Sequence, residues 1–205
     1  MGIHISKLNL NQDSMICPSR FVDLNTAGSV YFLKHKPKSE YGKDLDKIVH
    51  FSLAVDITGS STSKEFVATH FDIFIVHSTD HTTYMEATFK RRLYDDYLLI
   101  KQIGKILLNH IQEFFSPIHF AQNLRNQLIQ NVYNPMCKNN NGALWSSTLN
   151  CQTFTRSAIE YLGFHLPPNT VILSDCIPTM VDMYMNISLA KTQTKEKLNE
   201  KKINI

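Results

Sequence analysis

The 205-residue chain has only four cysteines, Cys17, Cys137, Cys151 and Cys176, and no two of them form a CxxC pair. That spacing argues against a zinc site, since structural zinc needs close Cys/His pairs. Without a secretory leader pattern, the expectation is a reducing, cytoplasmic setting with free thiols. A net charge of +3 is slight, and the stretch from Lys191 to Lys202 holds five lysines against two glutamates. No basic face or nucleic-acid motif stands out, so nucleic acid is excluded as a partner. No apolar run is long enough to span a membrane, and there is no internal repeat or low-complexity segment. At 43% apolar and 19% charged residues, the composition is that of one globular domain with a full core. The expected division is an N-terminal segment over 1–27, a domain over 28–190 and a polar basic tail over 191–205.

Against these absences stand two positive signals. Met1-Gly2-Ile3-His4-Ile5-Ser6 fits the M-G-x-x-x-[ST] pattern for N-myristoylation of Gly2. One myristoyl chain gives only marginal membrane binding, so the implied contact is peripheral and needs a second signal. The other signal is Leu149-Asn150-Cys151-Gln152-Thr153-Phe154, which opens a stretch where Phe154, Ala158, Tyr161 and Leu162 recur at helical spacing up to Gly163. A Ser/Thr cluster, Ser146-Ser147-Thr148, can cap that helix. Cys151 then falls in the first turn, where the helix dipole favours a thiolate.

Upstream, β-formers follow Gly28 through Val30, Tyr31, Phe32 and Leu33, and further strands are expected over 48–57, 66–76 and 82–90. Short connections between them predict an antiparallel meander. Ile100, Ile103, Leu107, Ile111 and Phe114 fit an amphipathic helix ending before Ser116-Pro117. Phe120, Leu124, Leu128 and Val132 fit a second, stopped at Asn134-Pro135, and a short Met-rich helix is expected around 179–187. The fold class is α+β, an antiparallel sheet packed against a cysteine-bearing helix.

A cysteine nucleophile needs a histidine base and a group that orients it. His70 on the third strand and Glu86 on the fourth can share one face of a hairpin, which a carboxylate-bonded imidazole requires. Taken singly, each has a bland explanation: a buried thiol, a core histidine, a solvent-facing glutamate. Their order is more specific. His70-Phe71-Asp72-Ile73-Phe74-Ile75, then Met85-Glu86-Ala87-Thr88, then Asn150-Cys151-Gln152-Thr153-Phe154 resembles the circularly permuted NlpC-like papain fold, in which His precedes Cys. The Met85–Thr88 stretch is similar to the YiiX-like and poxviral-type branch, and Asn150-Cys151 to the lecithin:retinol acyltransferase group. The likeness covers about residues 28–165.

The resemblance implies a papain-like domain and a thiol-dependent hydrolase or acyltransferase without a cofactor. It acts on an amide or ester bond of a protein or lipid substrate through an acyl-thioester. The triad implied is Cys151, His70 and Glu86, with Gln152 or Tyr133 as a candidate oxyanion donor beside the Cys151 N–H. Two departures bear on it. Asp72 stands where the family has Gly, and His50 heads a strand of its own, at a distance from Gly28 that suits the fold better. With His50 as base, His70 or Asp72 becomes the orienting group. The alternative function is an inactive interaction module on the same fold. Co-expression with an N-myristoyltransferase should add the mass of one myristoyl group to the intact chain, and Gly2→Ala should abolish the gain. An unchanged mass in the parent chain would remove the lipid.

Overall fold

The computed structural model describes residues 16–36, 49–76, 81–176, 178–179 and 182–183. Gly2, the tail over 191–205 and most of the expected Met-rich helix lie outside the described residues. Among the described residues no helix is long and apolar enough to cross a membrane.

Five strands form one antiparallel sheet: β1 Ser29–His35, β2 Phe51–Asp56, β3 Glu65–Ile75, β4 Thr83–Leu93 and β5 Tyr97–Lys105. Their order is β4-β3-β2-β1-β5. β4 and β5 occupy opposite edges, yet only the 3-10 turn Tyr94–Asp96 joins them. Such a short link reaches both edges only if the sheet rolls up, which the right-handed twist of strands favours. Phe66 of β3 reports the closure. Its ring meets Tyr31 of β1 at 5.0 Å, Tyr97 of β5 at 5.7 Å and Tyr94 at 6.0 Å.

Rolling gives the sheet two unlike faces, because successive side chains alternate. The concave face holds a small core of Leu33, Ala54, Phe66, Ala68 and Tyr97. The convex face carries Phe32, Leu53, Phe71 and Ile73 into the main core, where the helices supply Leu124, Phe154 and Ala158. Those helices are α1 Leu108–Gln112, α2 Pro117–Leu128, α3 Asn134–Asn139, α4 Cys151–Tyr161 and α5 Leu173–Cys176.

The α+β class and the first four strands agree with the sequence reading, and three local expectations are corrected. Ile100 and Ile103 belong to β5, because pairing with β1 satisfies that backbone and their i,i+3 spacing suits either structure only loosely. Only Leu108–Gln112 of the expected helix is helical. Second, the helix does not stop at Asn134-Pro135. A π turn over Ile129–Tyr133 passes the Asn134 N–H to the Ile129 carbonyl, so the bond Pro135 cannot make falls where the helix changes register. Third, the cap of α4 is Asn150 rather than the Ser/Thr cluster. Its far end agrees with expectation. Gly163, at φ +80°, closes a Schellman motif, with Gly163 N–H on Glu160 and Phe164 N–H on Ile159.

Gly28 joins the start of β1 to the end of β5. It has φ +83°, and a Cβ there would sit 2.3 Å from the Ile106 carbonyl oxygen. Gly28→Ala should therefore cost about 2 kcal/mol or more in denaturant unfolding, from the left-handed backbone plus the backbone clash. A loss under about 0.5 kcal/mol would contradict the close approach.

Candidate active site

α4 begins in a dense set of local bonds. The Asn150 side chain accepts from the Gln152 N–H (3.0 Å) and the Thr153 N–H (3.1 Å), while Thr153 Oγ1 accepts from the Asn150 N–H (3.0 Å). The Phe154 N–H goes to the Asn150 carbonyl at 2.9 Å. Of the amides a helix start leaves over, the cap thus consumes all but that of Cys151. Behind the cap, the Asn150 amide donates to Ser174 Oγ at 2.7 Å, and Asp182 accepts from the Ser147 N–H, also at 2.7 Å.

Gln152 fixes this turn against the sheet. Its Nε2 donates to the Val49 carbonyl (3.1 Å) and its Oε1 accepts from the Leu173 N–H (2.8 Å). Val49 is the neighbour of His50, so one buried amide locks the cysteine turn to the residue beside the histidine. Cys151 itself is 7% exposed.

His50 stands one residue before β2, with its side chain about one-third exposed (32%). Its Nε2 lies 3.3 Å from Asp72 Oδ1 on β3. Burial alone would push this imidazole's pKa down. The Asp72 bond, then the hydrogen bond and charge of Cys151, outweigh that and raise it to about 10. The bond to Asp72 and the influence of Cys151 thus favour His50 as an imidazolium. With Nε2 committed to Asp72, Nδ1 is the ring nitrogen left for Cys151.

Asp72 is fully buried at its side chain. Oδ1 also accepts from Ser52 Oγ, and Oδ2 accepts from Lys90 Nζ at 2.8 Å. Ser52 Oγ gives its hydrogen to Asp72, so it accepts from His35 Nε2 at 2.6 Å. Burial would raise the Asp72 pKa. The His50 bond and the Lys90 charge prevail and keep the carboxyl well below the usual carboxylate range.

The expected partners are not assembled. The predicted hairpin forms, but its register sets Asp72 opposite Glu86 and His70 opposite Thr88, two residues away from a His70–Glu86 pairing. Glu86 instead accepts from the Tyr84 hydroxyl at 3.4 Å. His70 is wholly buried inside the rolled sheet, near-parallel to the Tyr97 ring (28°), with Nε2 3.4 Å from the Tyr97 hydroxyl. Burial first, then the Lys90 charge, push its pKa well below the ordinary value, so it is neutral filler. Gln152 is spent on Val49 and Leu173. Tyr133 is spent on Thr83, whose carbonyl accepts from its hydroxyl at 2.7 Å. The one Tyr133 hydroxyl hydrogen is thus committed to Thr83 and one Gln152 amide hydrogen to Val49, while the Cys151 N–H has no acceptor among the described residues.

Of the two pairs the sequence offers, His50 with Asp72 is brought together and His70 with Glu86 is not, and Ser52 and Lys90 join the site without a motif that marks them. The missed signal is the alternation. His50 and Ser52 share one strand face, as do His70 and Asp72, and Ala54 pairs with His70. Continuing that register sets Ser52 opposite Asp72.

His35, His50 and Asp72 place three potential metal-ligand atoms within 4.8 Å of one another. The group does not suit a cation. Lys90 already occupies the cation position on Asp72, and both carboxylate oxygens accept hydrogen bonds. A cleft of about 990 Å³ opens beside His50, between Trp145, Phe74 and Val49 on its apolar side and Thr88, Lys90 and Arg92 of β4.

Comparison of the chain with protein-family models, curated proteins and solved structures returns no match.

The two raised and lowered pKa values set a pH signature. His50, raised from 6.5 to about 10, contributes stability that is complete below pH 6.5 and lost as pH rises through about 10. Asp72→Asn removes the main partner, so the variant should be less stable at neutral pH and lose less stability than the parent between pH 6.5 and 10. Denaturant unfolding across that range checks it; parallel profiles for the two proteins would contradict the ion pair.

Proposed function

We propose that the protein is a thiol-dependent hydrolase or acyltransferase in which Cys151 is the nucleophile, His50 the acid–base and Asp72 the orienting group. What carries the reading is His50, an accessible imidazole bonded on one side to a buried carboxylate and acted on from the other by Cys151. A helix-start cysteine paired with an imidazolium is the usual way to maintain a thiolate at neutral pH.

The reaction follows from these positions. Cys151 Sγ attacks the carbonyl carbon of an amide or ester, and the oxygen that gains charge is stabilised by the Cys151 N–H. His50 gives its proton to the leaving nitrogen or oxygen as the tetrahedral intermediate collapses to an acyl-thioester. Water, or an acceptor amine or hydroxyl, then attacks that thioester while His50 takes its proton, and Cys151 leaves as thiolate. The helix-start cysteine, the antiparallel sheet and the His-before-Cys order suit the permuted NlpC-like papain group. A protein or lipid substrate, a cytoplasmic site of action and peripheral membrane contact through Gly2 belong to the same proposal.

The test is labelling with a thiol-directed acyl electrophile at neutral pH. Cys151 should be modified far faster than Cys17, Cys137 and Cys176, and His50→Ala should slow it about 10²–10⁴-fold. His70→Phe and Glu86→Gln should label at near-parent rates once shown to be folded. Equal, slow labelling of every accessible thiol would leave the inactive interaction module as the reading.

A further inference from the structure

The triad uses one oxygen of Asp72, and the other oxygen holds Lys90. We infer that Lys90 is a positioning residue for the reaction: it fixes the Asp72 carboxylate and limits how tightly that carboxylate holds the His50 proton. This rests on the Cys151–His50–Asp72 reading above.

Lys90 is the closer partner. Its Nζ is 2.8 Å from Oδ2, against 3.3 Å from His50 Nε2 to Oδ1. Its ammonium also lies 5.8 Å from the centre of the Phe74 ring, which fixes the direction of approach. The charged and titratable groups around Asp72 come from every element packed on it. His35 of β1 is bonded to Ser52, which donates to Asp72, and its ring lies 4.9 Å from that of His50. His70, on its own strand, is neutral and faces Tyr97 of β5. Glu86, its cross-strand neighbour on β4, is bonded to Tyr84. Cys151 acts through His50. Among the described residues, Lys90 is thus the cation besides His50 that touches Asp72.

Two cations sharing one carboxylate compete for its charge. A buried carboxylate facing His50 alone would bind the imidazolium so firmly that donating the proton to a leaving group would become harder. Lys90 draws off part of that attraction without leaving Asp72 uncompensated. Counted together, Asp72, Lys90, His50 and a Cys151 thiolate sum to zero charge, so the site can be buried without a stranded ion.

The experiment is the pH dependence of Cys151 alkylation by iodoacetate. As an anion, this reagent reacts fastest with a thiolate beside an imidazolium, and its rate falls as His50 loses its proton. Lys90→Met should shift the descending limb upward by roughly half to one pH unit. Lys90→Gln should do the same, and Lys90→Arg, which keeps the charge, should leave the limb in place. The limb positions are read and not the maximal rates, because any lost lysine weakens attraction of an anionic reagent. An unmoved or downward limb in the neutral variants, or an equal shift in Lys90→Arg, would overturn the inference. So would failure of both neutral variants to fold, which would make Lys90 a structural counterion only. The parent reading fails separately: the His50→Ala profile would then match that of the unsubstituted chain.

Discussion

The buried carboxylate of Asp72 is the constraint on which the rest of this structure depends. An isolated ionised carboxyl inside a protein costs several kcal/mol after relaxation, and breaking one of its pairs commonly costs more than the pair contributes. Here the charge is met from three directions: Lys90 on β4, Ser52 on β2, and His50 just ahead of β2. His35 on β1 supports Ser52 in turn. One side chain therefore links β1, β2, β3 and β4 through polar contacts on the concave face. Those contacts require the strands to be in one register, since a one-residue slip would turn Asp72 into the apolar core on the convex face.

The two faces divide the labour. The convex face is apolar and receives α4 through Phe154 and Ala158, with α2 beside it. The concave face is closed by β5, where Tyr97 meets Phe66, so the Asp72 carboxylate is kept out of bulk water. Cys151 and His50 meet where these regions adjoin, at the start of α4 and the head of β2. What aligns them is backbone chemistry. The Asn150 cap fixes the first turn of α4, and Gln152 pins that turn to the carbonyl preceding His50. The same cap leaves the Cys151 N–H as the amide without a capping acceptor. Local satisfaction of the helix start and the release of that one N–H for the proposed chemistry are thus one arrangement.

Much of this was legible from residue order. The β-branched and aromatic runs predict four strands, Gly163 predicts the end of α4, and Asn150-Cys151 predicts a cysteine in a first helical turn. What failed was whatever depends on pairing between distant segments. β5 reads as helix because Ile100, Ile103 and Leu107 fit a helical stripe, while the strand partner of Ile100 that decides the matter is Leu33 of β1, far off in the chain. Pro135 reads as a stop because a π turn leaves no compositional mark. The preference for His70 and Glu86 assumed a hairpin register two residues off the one that forms, and register is fixed by packing on both faces.

The contrast between the two strand histidines explains why residue type alone could not choose a base. Each lies near Asp72, and each sits in a strand-like stretch of similar composition. His70 is enclosed, faces a tyrosine hydroxyl and lies within the influence of Lys90, and all of that favours the neutral ring. His50 is one-third open to the cleft, bonds Asp72 directly and borders Cys151, and this favours the charged ring. The same ammonium that helps silence His70 is the one that secures the carboxylate of His50. Burial and that ammonium hold His70 neutral while Asp72 and Cys151 favour the charged ring of His50, so two neighbouring imidazoles differ in proton affinity.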